Sequence, residues 1–351
     1  MERAVELAWG GWGRVGSNPL VGAVVVRDGE SVGEGCHAEF GGPHAEVVAL
    51  AAAGARARGA DLVVTLEPCA HYGKTPPCTE SILASGVRRV VFGARDPDVR
   101  AGGGAEVLLK AGVAVEPGLL DEEVRRQNAV FFHRHSGAAR PFVALKLALS
   151  LDARIADRER GSRWISGAQA RAYVQWLRAG FDAIAVAAGT ARADDPALTV
   201  RGPVRPLRPP LRVLFDRRAE VPLRARLVVT AREAPTLVLV GPEAPAGARA
   251  ALESAGAEVV EAGGLDAALA ALHARGVAGL LVEGGGVLAG RLLAAGLVDR
   301  MYALVAPLLL GSTGVAAFAE LPGVALDAAR RWRVVERRAL GDDQLLVLDG
   351  N

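Results

Sequence analysis

Lysine is almost missing from this chain. Of 41 basic side chains in 351 residues, three are lysines, at Lys74, Lys110 and Lys146. Arginine carries the remaining positive charge, so a lysine marks a place where a compact ammonium is a candidate for function, Lys74 and Lys146 in particular. Asparagine is as scarce, at Asn18, Asn128 and Asn351. Cysteine is limited to Cys36, Cys69 and Cys78, too few for a disulfide framework, and a reducing cytoplasm is the expected location. Aromatic residues make up 5% and the net charge is +2, which argues against a nucleic-acid surface and against attraction to an acidic membrane. No uninterrupted apolar run reaches the roughly 18 residues of a membrane span. Met1-Glu2-Arg3 opens the chain without the apolar core of a leader, so no signal peptide is expected. Internal repeats and low-complexity segments are absent, as is the G-x-G-x-x-G fingerprint of ordinary dinucleotide-binding domains.

What is present is a globular composition, 51% hydrophobic and 23% charged. At about 150 residues per domain the length suggests two domains. Strand and helix patterns alternate through both halves, the signature of an α/β architecture. The first half reads as strands at 21–27, 31–37, 61–66, 88–93 and 113–116, with helices at 45–58, 104–112 and 121–132 and another beginning near Thr79. Asp28-Gly29 is a hairpin turn between the first two strands. The second half reads as strands at 142–149, 183–188, 211–215, 236–240, 257–260, 279–282 and 300–305, helices at 168–179, 246–255, 265–275 and 287–295, and a final hairpin turning at Gly341-Asp342. The polar stretch 133–141 separates the halves, giving domains 1–140 and 141–351, with His133 and His135 read as linker residues.

The chemistry concentrates at Pro43-His44-Ala45-Glu46, Glu67-Pro68-Cys69 and Pro77-Cys78. An H-x-E…P-C…C order is that of zinc-dependent deaminases of nucleobase-like rings. A catalytic zinc takes three protein ligands and leaves one position to water. His44, Cys69 and Cys78 are the three candidates, and Glu46, two residues from His44, is the candidate proton carrier. Eight residues separate the two cysteines, where the general signature has two. A structural zinc module would need a fourth ligand, and Cys36 has no matching motif. A deaminase of bases within tRNA or DNA shares the motif but not this chain's near-neutral charge. Glu283-Gly284-Gly285-Gly286, between a strand and a helix, is a phosphate-binding arrangement.

The motifs in order are SNPLVGAVVV, GEGCH, PHAEVVAL, TLEPCAHYGKTPPC and SGVRRVVFGARDP, then ALKLALSLDARIA, SRWIS, LRAGFDAIAVAAGTARADDPALTVR, VEGGGVLAG, GLVDR and APLLLG. Together they make the chain resemble, over essentially its whole length, the family of bifunctional riboflavin-biosynthesis deaminase/reductases.

The resemblance implies a cytidine-deaminase-like α/β sandwich followed by a dihydrofolate-reductase-like α/β domain. It implies Zn2+ in the first and NADPH in the second. The first would deaminate 2,5-diamino-6-(5-phosphoribosylamino)pyrimidin-4-one, and the second would reduce the ribosyl group of the product to ribityl. His44, Cys69 and Cys78 match the family's zinc ligands and Glu46 its proton shuttle. Ala148, Trp164, Thr190, Asp194 and the loop Gly285, Gly286, Val287, Leu288, Ala289, Gly290 and Arg291 fall at cofactor-contacting positions. Ser162, Arg178, Leu198, Arg201 and Glu283 fall at substrate-contacting positions, the two arginines suiting a phosphate. Asn18, His37, His71 and Lys74 are the substrate contacts expected in the deaminase half. Partners are small phosphorylated pyrimidines, with neither nucleic acid nor membrane, and a homo-oligomer, dimer or tetramer, is expected. The chain departs from the family at Asp98-Val99-Arg100-Ala101-Gly102-Gly103-Gly104, shorter than usual, and at Cys36, where an aromatic is common. It departs again at Arg217, where Ser or Thr is common. Arg217 follows a strand end, where a guanidinium could reach the 2′-phosphate of NADPH.

Overall fold

Asp28 and Gly29 both adopt left-handed backbone, with φ of 53° and 85°. Two such residues in succession match the right-handed twist of the strands they join. Gly22–Arg27 and Glu30–Cys36 therefore pair antiparallel across a tight turn. The computed structural model describes residues 1–159, 161 and 164–350. The chain divides into two units, Met1–Ala138 with Val204–Leu207, and Ala139–Pro203 with Arg208–Asn351.

In the first unit the hairpin edges a five-stranded sheet. Its order is Glu30–Cys36, Gly22–Arg27, Asp61–Leu66, Arg89–Ala94, Ala114–Pro117. The last three strands are parallel, so Asp61–Leu66 and Arg89–Ala94 end at the same edge. Helices Ala45–Ala53 and Cys78–Ser85 cover the sheet, and Ala49, Leu62, Val64, Ile82 and Phe92 close the core between them.

The second unit holds a nine-stranded sheet. Its order is Glu258–Glu261, Thr236–Val240, Leu211–Phe215, Ala183–Ala187, Gly279–Glu283, Phe142–Ser150, Arg300–Ala306, Asp343–Gly350, Trp332–Leu340. From the first of these to Arg300–Ala306 every pairing is parallel, and the terminal hairpin adds the antiparallel edge. Parallel strands covered on both faces read as unbroken apolar runs, and Phe142–Ser150 does so except at Lys146 and its last residue, Ser150. Fully buried Leu145, Ile184 and Leu214 each contribute about 1.5–3 kcal/mol to folding. Register sets Lys146 beside Glu283, the last residue of the neighbouring strand.

The departures from the expected pattern include three helical segments. The helix expected over 45–58 ends at Ala53, because Gly54 takes φ 54° and a short 3-10 turn follows. The helix expected over 121–132 is two helices, Asp121–Gln127 and Ala129–Arg134, broken at Asn128. Ala188–Asp194, expected as a connection, is a short helix.

The break has a visible cause. Asn128 is buried, and its amide acts as a ladder partner for Leu20. Its Oδ1 accepts from the Leu20 N–H at 2.7 Å, and its Nδ2 donates to the Leu20 carbonyl at 3.1 Å and to that of Val124 at 3.2 Å. Asn128→Ala leaves the Leu20 groups buried and unpaired, and it is expected to destabilise the N-terminal unit by about 2–4 kcal/mol. Urea unfolding followed on that unit's transition measures this; an unchanged midpoint would contradict it.

Candidate active sites

His44 lies at the N-terminus of Ala45–Ala53, Cys69 just beyond the end of Asp61–Leu66, and Cys78 at the first position of Cys78–Ser85. Packing those helices on the sheet brings one nitrogen and two sulfurs within 4.8 Å of one another. The His44 Nδ1 faces both sulfurs, at 3.0 Å from Cys78 Sγ and 3.5 Å from Cys69 Sγ. Its Nε2 lies 3.3 Å from Thr75 Oγ1. With Nε2–H donating to the Thr75 hydroxyl, Nδ1 keeps the lone pair that a metal would take. The Cys78 backbone N–H donates to Cys69 Sγ at 3.2 Å. The Cys78 contact and His44 together pull the Cys69 thiol down to about 4, while the Cys69 sulfur and burial push the Cys78 thiol up. Two sulfurs this close cannot both ionise without a cation between them, so the donor set suits a thiolate-binding metal such as zinc.

Glu46 is 3% exposed and stands behind these donors rather than among them. Burial pushes its carboxyl up, and it contacts the Cys78 thiol. A carboxyl with a raised pKa beside a metal site is suited to taking up and releasing a proton near neutral pH. The sequence reading overlooked Glu67. Its carboxylate, 5% exposed, accepts from the N–H groups of Ala105 at 3.2 Å and Asp96 at 3.4 Å. It thereby fixes the shortened 95–104 loop against the cysteine loop. Gly104 is needed there, since a Cβ would lie 1.8 Å from the Pro68 carbonyl oxygen. Thr75 was also missed, although it and Glu67 both stand inside the TLEPCAHYGKTPPC motif.

The deaminase-half substrate candidates separate into two groups. His37 is buried and both its nitrogens are engaged, Nδ1 with the Pro43 carbonyl at 3.1 Å and Nε2 with Asn18 Nδ2 at 3.1 Å. The carbonyl can only accept, so Nδ1 carries the proton and Nε2 accepts from Asn18. The His37 ring packs edge-on against His44, with centroids 5.4 Å apart. His37 thus braces Asn18 and the metal-binding loop. His71 and Lys74 are exposed on the loop between the cysteines, and the Lys74 ammonium rests 4.1 Å over the Phe40 ring.

In the second unit a charged cluster forms where strands end. Glu283, 7% exposed, takes two hydrogen bonds from Arg178, Nε to Oε1 at 2.5 Å and Nη2 to Oε2 at 2.8 Å. Burial alone would raise the Glu283 carboxyl, but Arg178, with Lys146 further off, outweighs it and holds the group below the usual range. Burial pushes the Lys146 ammonium below its ordinary value, with Glu283 and Asp194 acting against that. Leu198 is buried in left-handed backbone at φ 49°. Arg201 is exposed and its N–H donates to Gln175 at 2.7 Å.

The cofactor candidates are partly regrouped. Thr190 lies against Gly284 and Gly285, both left-handed at φ 69° and 87°. These two glycines form the turn ahead of helix Gly286–Ala294, and a glycine turn at a helix N-terminus suits a phosphate-bearing cofactor. Gly285 to Arg291 is not a loop: from Gly286 onward it is that helix. Leu288 and Ala289 face the core. Gly286 and Gly290 are pressed against other backbone, since a Cβ would lie 2.2 Å from the Ala316 oxygen and 1.9 Å from that of Ala319. Arg291 pairs with Glu320 at 2.7 Å, and Val287 is exposed. Ala148 is half-buried on its strand, and Asp194 ends helix Ala188–Asp194. Trp164 is exposed with the Arg171 guanidinium 4.8 Å over its ring. Arg217 is exposed and ion-paired with Glu243. Ser162 lies outside the described residues.

Two sequence families match. Residues 1–94 match the cytidine and deoxycytidylate deaminase zinc-binding region, and residues 141–346 the RibD C-terminal domain. The riboflavin biosynthesis protein RibD of Escherichia coli (strain K12) is 40% identical over 379 residues, covering 100% of this chain and 98% of that protein. The structure of Acinetobacter baumannii RibD is similar with a TM-score of 0.83 at 36% identity, covering 100% of this chain and 97% of that one. A diaminohydroxyphosphoribosylaminopyrimidine deaminase/5-amino-6-(5-phosphoribosylamino)uracil reductase from Thermotoga maritima gives 0.82 at 36% identity, with coverage of 100% and 97%. The first unit is thus cytidine-deaminase-like and the second dihydrofolate-reductase-like. No helix among the described residues is long and apolar enough to cross a membrane.

Because Glu46 stands outside the donor set, Glu46→Gln is expected to retain zinc at the wild-type stoichiometry while losing hydrolytic deamination. Metal analysis of the purified variant, alongside an ammonia-release assay, checks both. Loss of zinc in this variant would return Glu46 to the ligands.

Proposed function

The chain belongs to the riboflavin biosynthesis protein RibD family, a deaminase joined to a reductase, and from that premise we propose that its two centres act in succession on one phosphorylated pyrimidine. The first substrate is 2,5-diamino-6-(5-phosphoribosylamino)pyrimidin-4-one, which loses its 2-amino group as ammonia. The supporting observation is the convergence of His44, Cys69 and Cys78 with Glu46 buried beside them. Zinc held by those three would supply a water whose pKa is lowered to about 7. Glu46 would carry two protons in turn, the first from the attacking water's oxygen to the ring nitrogen, the second from that oxygen, then bonded to the ring carbon, to the departing amine. Asn18, His71 and Lys74 hold the substrate, with His37 bracing Asn18.

The second reaction opens the ribosyl ring of the deaminated product. A hydride reaches C1′, the bond from C1′ to the ring oxygen breaks, and that oxygen takes a proton, leaving a ribityl chain. NADPH is the hydride donor. Gly284 and Gly285 offer bare backbone for its phosphates, and Ala148, Trp164, Thr190 and Asp194 complete its surroundings. Glu283, Leu198 and Arg201 face the substrate, and Lys146 supplies the cation beside Glu283. The domains divide near residue 140, and the protein works as a homo-oligomer in the cytoplasm.

The reading is tested by incubating the protein with the diaminopyrimidinone phosphate, with and without NADPH, and following products by mass spectrometry. Exchange of one amino for one oxo group is expected without NADPH, and addition of two hydrogens with it. An unchanged substrate in both arms would refute the reading.

Cofactor choice is assigned in part to Arg217. It follows strand Leu211–Phe215 and borders a groove of about 650 Å³ shared with Arg218, Glu220, Glu243 and Pro245. Its ion pair with Glu243 holds the guanidinium at the rim, where a 2′-phosphate would compete with Glu243 for it. Arg217→Ala is expected to lower kcat/KM for NADPH about tenfold, equivalent to about 1.4 kcal/mol, with NADH little changed. An equal effect on both cofactors would leave Arg217 without a part in the choice.

A further inference from the structure

Strand Phe142–Ser150 and its parallel neighbour Arg300–Ala306 finish together, with Ser150 paired to Ala306. Backbone beyond the end of a ladder still has N–H groups to satisfy. Here one side chain receives them. Asp152 Oδ1 accepts from the Leu310 N–H at 3.1 Å, and its Oδ2 accepts from the Gly311 N–H at 2.7 Å. The Ser150 hydroxyl donates to Asp152 Oδ1 at 2.5 Å and accepts from the Arg154 N–H at 2.9 Å. The Ser150 hydroxyl, with these N–H groups, holds the Asp152 carboxyl down at about 2, so near neutral pH it is a fixed acceptor.

The turn that follows is constrained. Ala153 is left-handed at φ 56°, a conformation that a residue with a side chain keeps only where contacts impose it. Its N–H donates to the Ser150 carbonyl at 3.0 Å, and its own carbonyl accepts from the Ala317 N–H at 3.1 Å. Beyond it, Arg154–Ala156 pairs antiparallel with Val315–Ala316 as a separate two-stranded ribbon. Asp152 therefore splices this ribbon to the end of the nine-stranded sheet.

The ribbon lies on the helix that carries the candidate cofactor turn. A Cβ on Gly286 would lie 2.2 Å from the Ala316 oxygen, and one on Gly290 1.9 Å from that of Ala319. The ribbon's second strand is thus pressed on the first turn of Gly286–Ala294, directly after Gly284 and Gly285. Ala317 is buried in the same core as Leu288 and Ala289. The ribbon's first strand continues from Phe142–Ser150, the strand that carries Ala148.

Resting on the reading of the second unit as an NADPH-dependent reductase, we propose that Asp152 is a positioning residue for the cofactor. By clamping the turn after Ser150 to Leu310 and Gly311, it seats the ribbon on the N-terminus of helix Gly286–Ala294. It thereby holds the Gly284-Gly285 turn and Ala148 in the arrangement that receives the dinucleotide. Asp152 acts through the ribbon and not by contact with the ligand.

The same unit contains a matched comparison. Asp182 Oδ2 accepts from the N–H groups of Ala278 and Gly279, each at 2.9 Å. It does so at the opposite edge of the sheet, where Ala183–Ala187 and Gly279–Glu283 begin. If both carboxylates only hold chain together, removing either has the same effect on the cofactor.

The test uses the full chain and calorimetric titration with NADPH. The unaltered protein is measured first; failure to bind NADPH removes the reductase reading, and this proposal with it, before any variant is made. Asp152→Ala is expected to weaken NADPH binding about tenfold and to raise its KM in step, with kcat changed less than about threefold. Asp152→Asn keeps one acceptor and should fall between the two. Asp182→Ala should leave NADPH affinity within about twofold of the unaltered protein. Amide hydrogen exchange in the cofactor-free protein gives a second readout. The N–H groups of Leu310, Gly311 and Ala317 should exchange about tenfold faster in Asp152→Ala and unchanged in Asp182→Ala. Should Asp152→Ala fail to fold, Ser150→Ala removes only the hydroxyl between Asp152 and Arg154, and a loss of affinity of about threefold is expected. Equal NADPH affinities in the Asp152 and Asp182 variants would overturn the proposal. So would faster exchange at those amides with NADPH affinity unmoved.

Discussion

A carboxylate carried into a protein interior costs several kcal/mol to ionise unless donors or cations meet it there. Both halves of this chain are arranged about carboxylates in that position. Glu46, Glu67 and Glu283 are 3%, 5% and 7% exposed, and each is handled differently. Glu283 receives a guanidinium on both oxygens and stays ionised. Glu67 receives backbone N–H groups and becomes a structural tie between two loops. Among the described residues Glu46 has no cation hydrogen-bonded to it, and burial pushes its carboxyl up. The environments alone separate a fixed charge, a brace and a readily protonated carboxyl among three chemically similar side chains.

Parallel strands make that separation possible. Chain ends of parallel strands open at one edge, so residues distant in sequence converge there without any long side chain. Cys69 follows one such strand, and Glu283 ends another beside Lys146 on the next. Glycines then govern how near the backbones approach. Gly104 lets the loop after Arg89–Ala94 lie on the Pro68 carbonyl, and Gly286 and Gly290 let one helix lie on the 316–319 segment. A methyl group at any of these would push apart the elements that carry the site.

The architecture was legible because apolar patterns in this chain are long and cleanly bounded. The hairpin at Asp28-Gly29 was readable from two residues, since few others tolerate successive left-handed backbone. Asn128 shows the converse. Its break in the last helix of the first unit comes from hydrogen bonds to Leu20, 108 positions away, and no local pattern carries that information. The Gly285–Arg291 segment shows a related limit, since the packing of its glycines is set by distant chain. Glycine there was read as openness toward a ligand, while Gly286 and Gly290 serve close packing against chain that follows later.

The sequence by itself determined the element types, the α/β class and the kinds of chemistry available, since periodicity and donor type are local properties of the chain. Which way each group faces was decided only by tertiary structure. His37 and Arg178 have the residue types of substrate ligands, yet the fold surrounds one with Asn18 and the Pro43 carbonyl and the other with Glu283 and Thr199. A side chain's donors go to whatever lies nearest in space once the core has closed, and that neighbour is fixed by packing between distant segments, which no stretch of sequence contains.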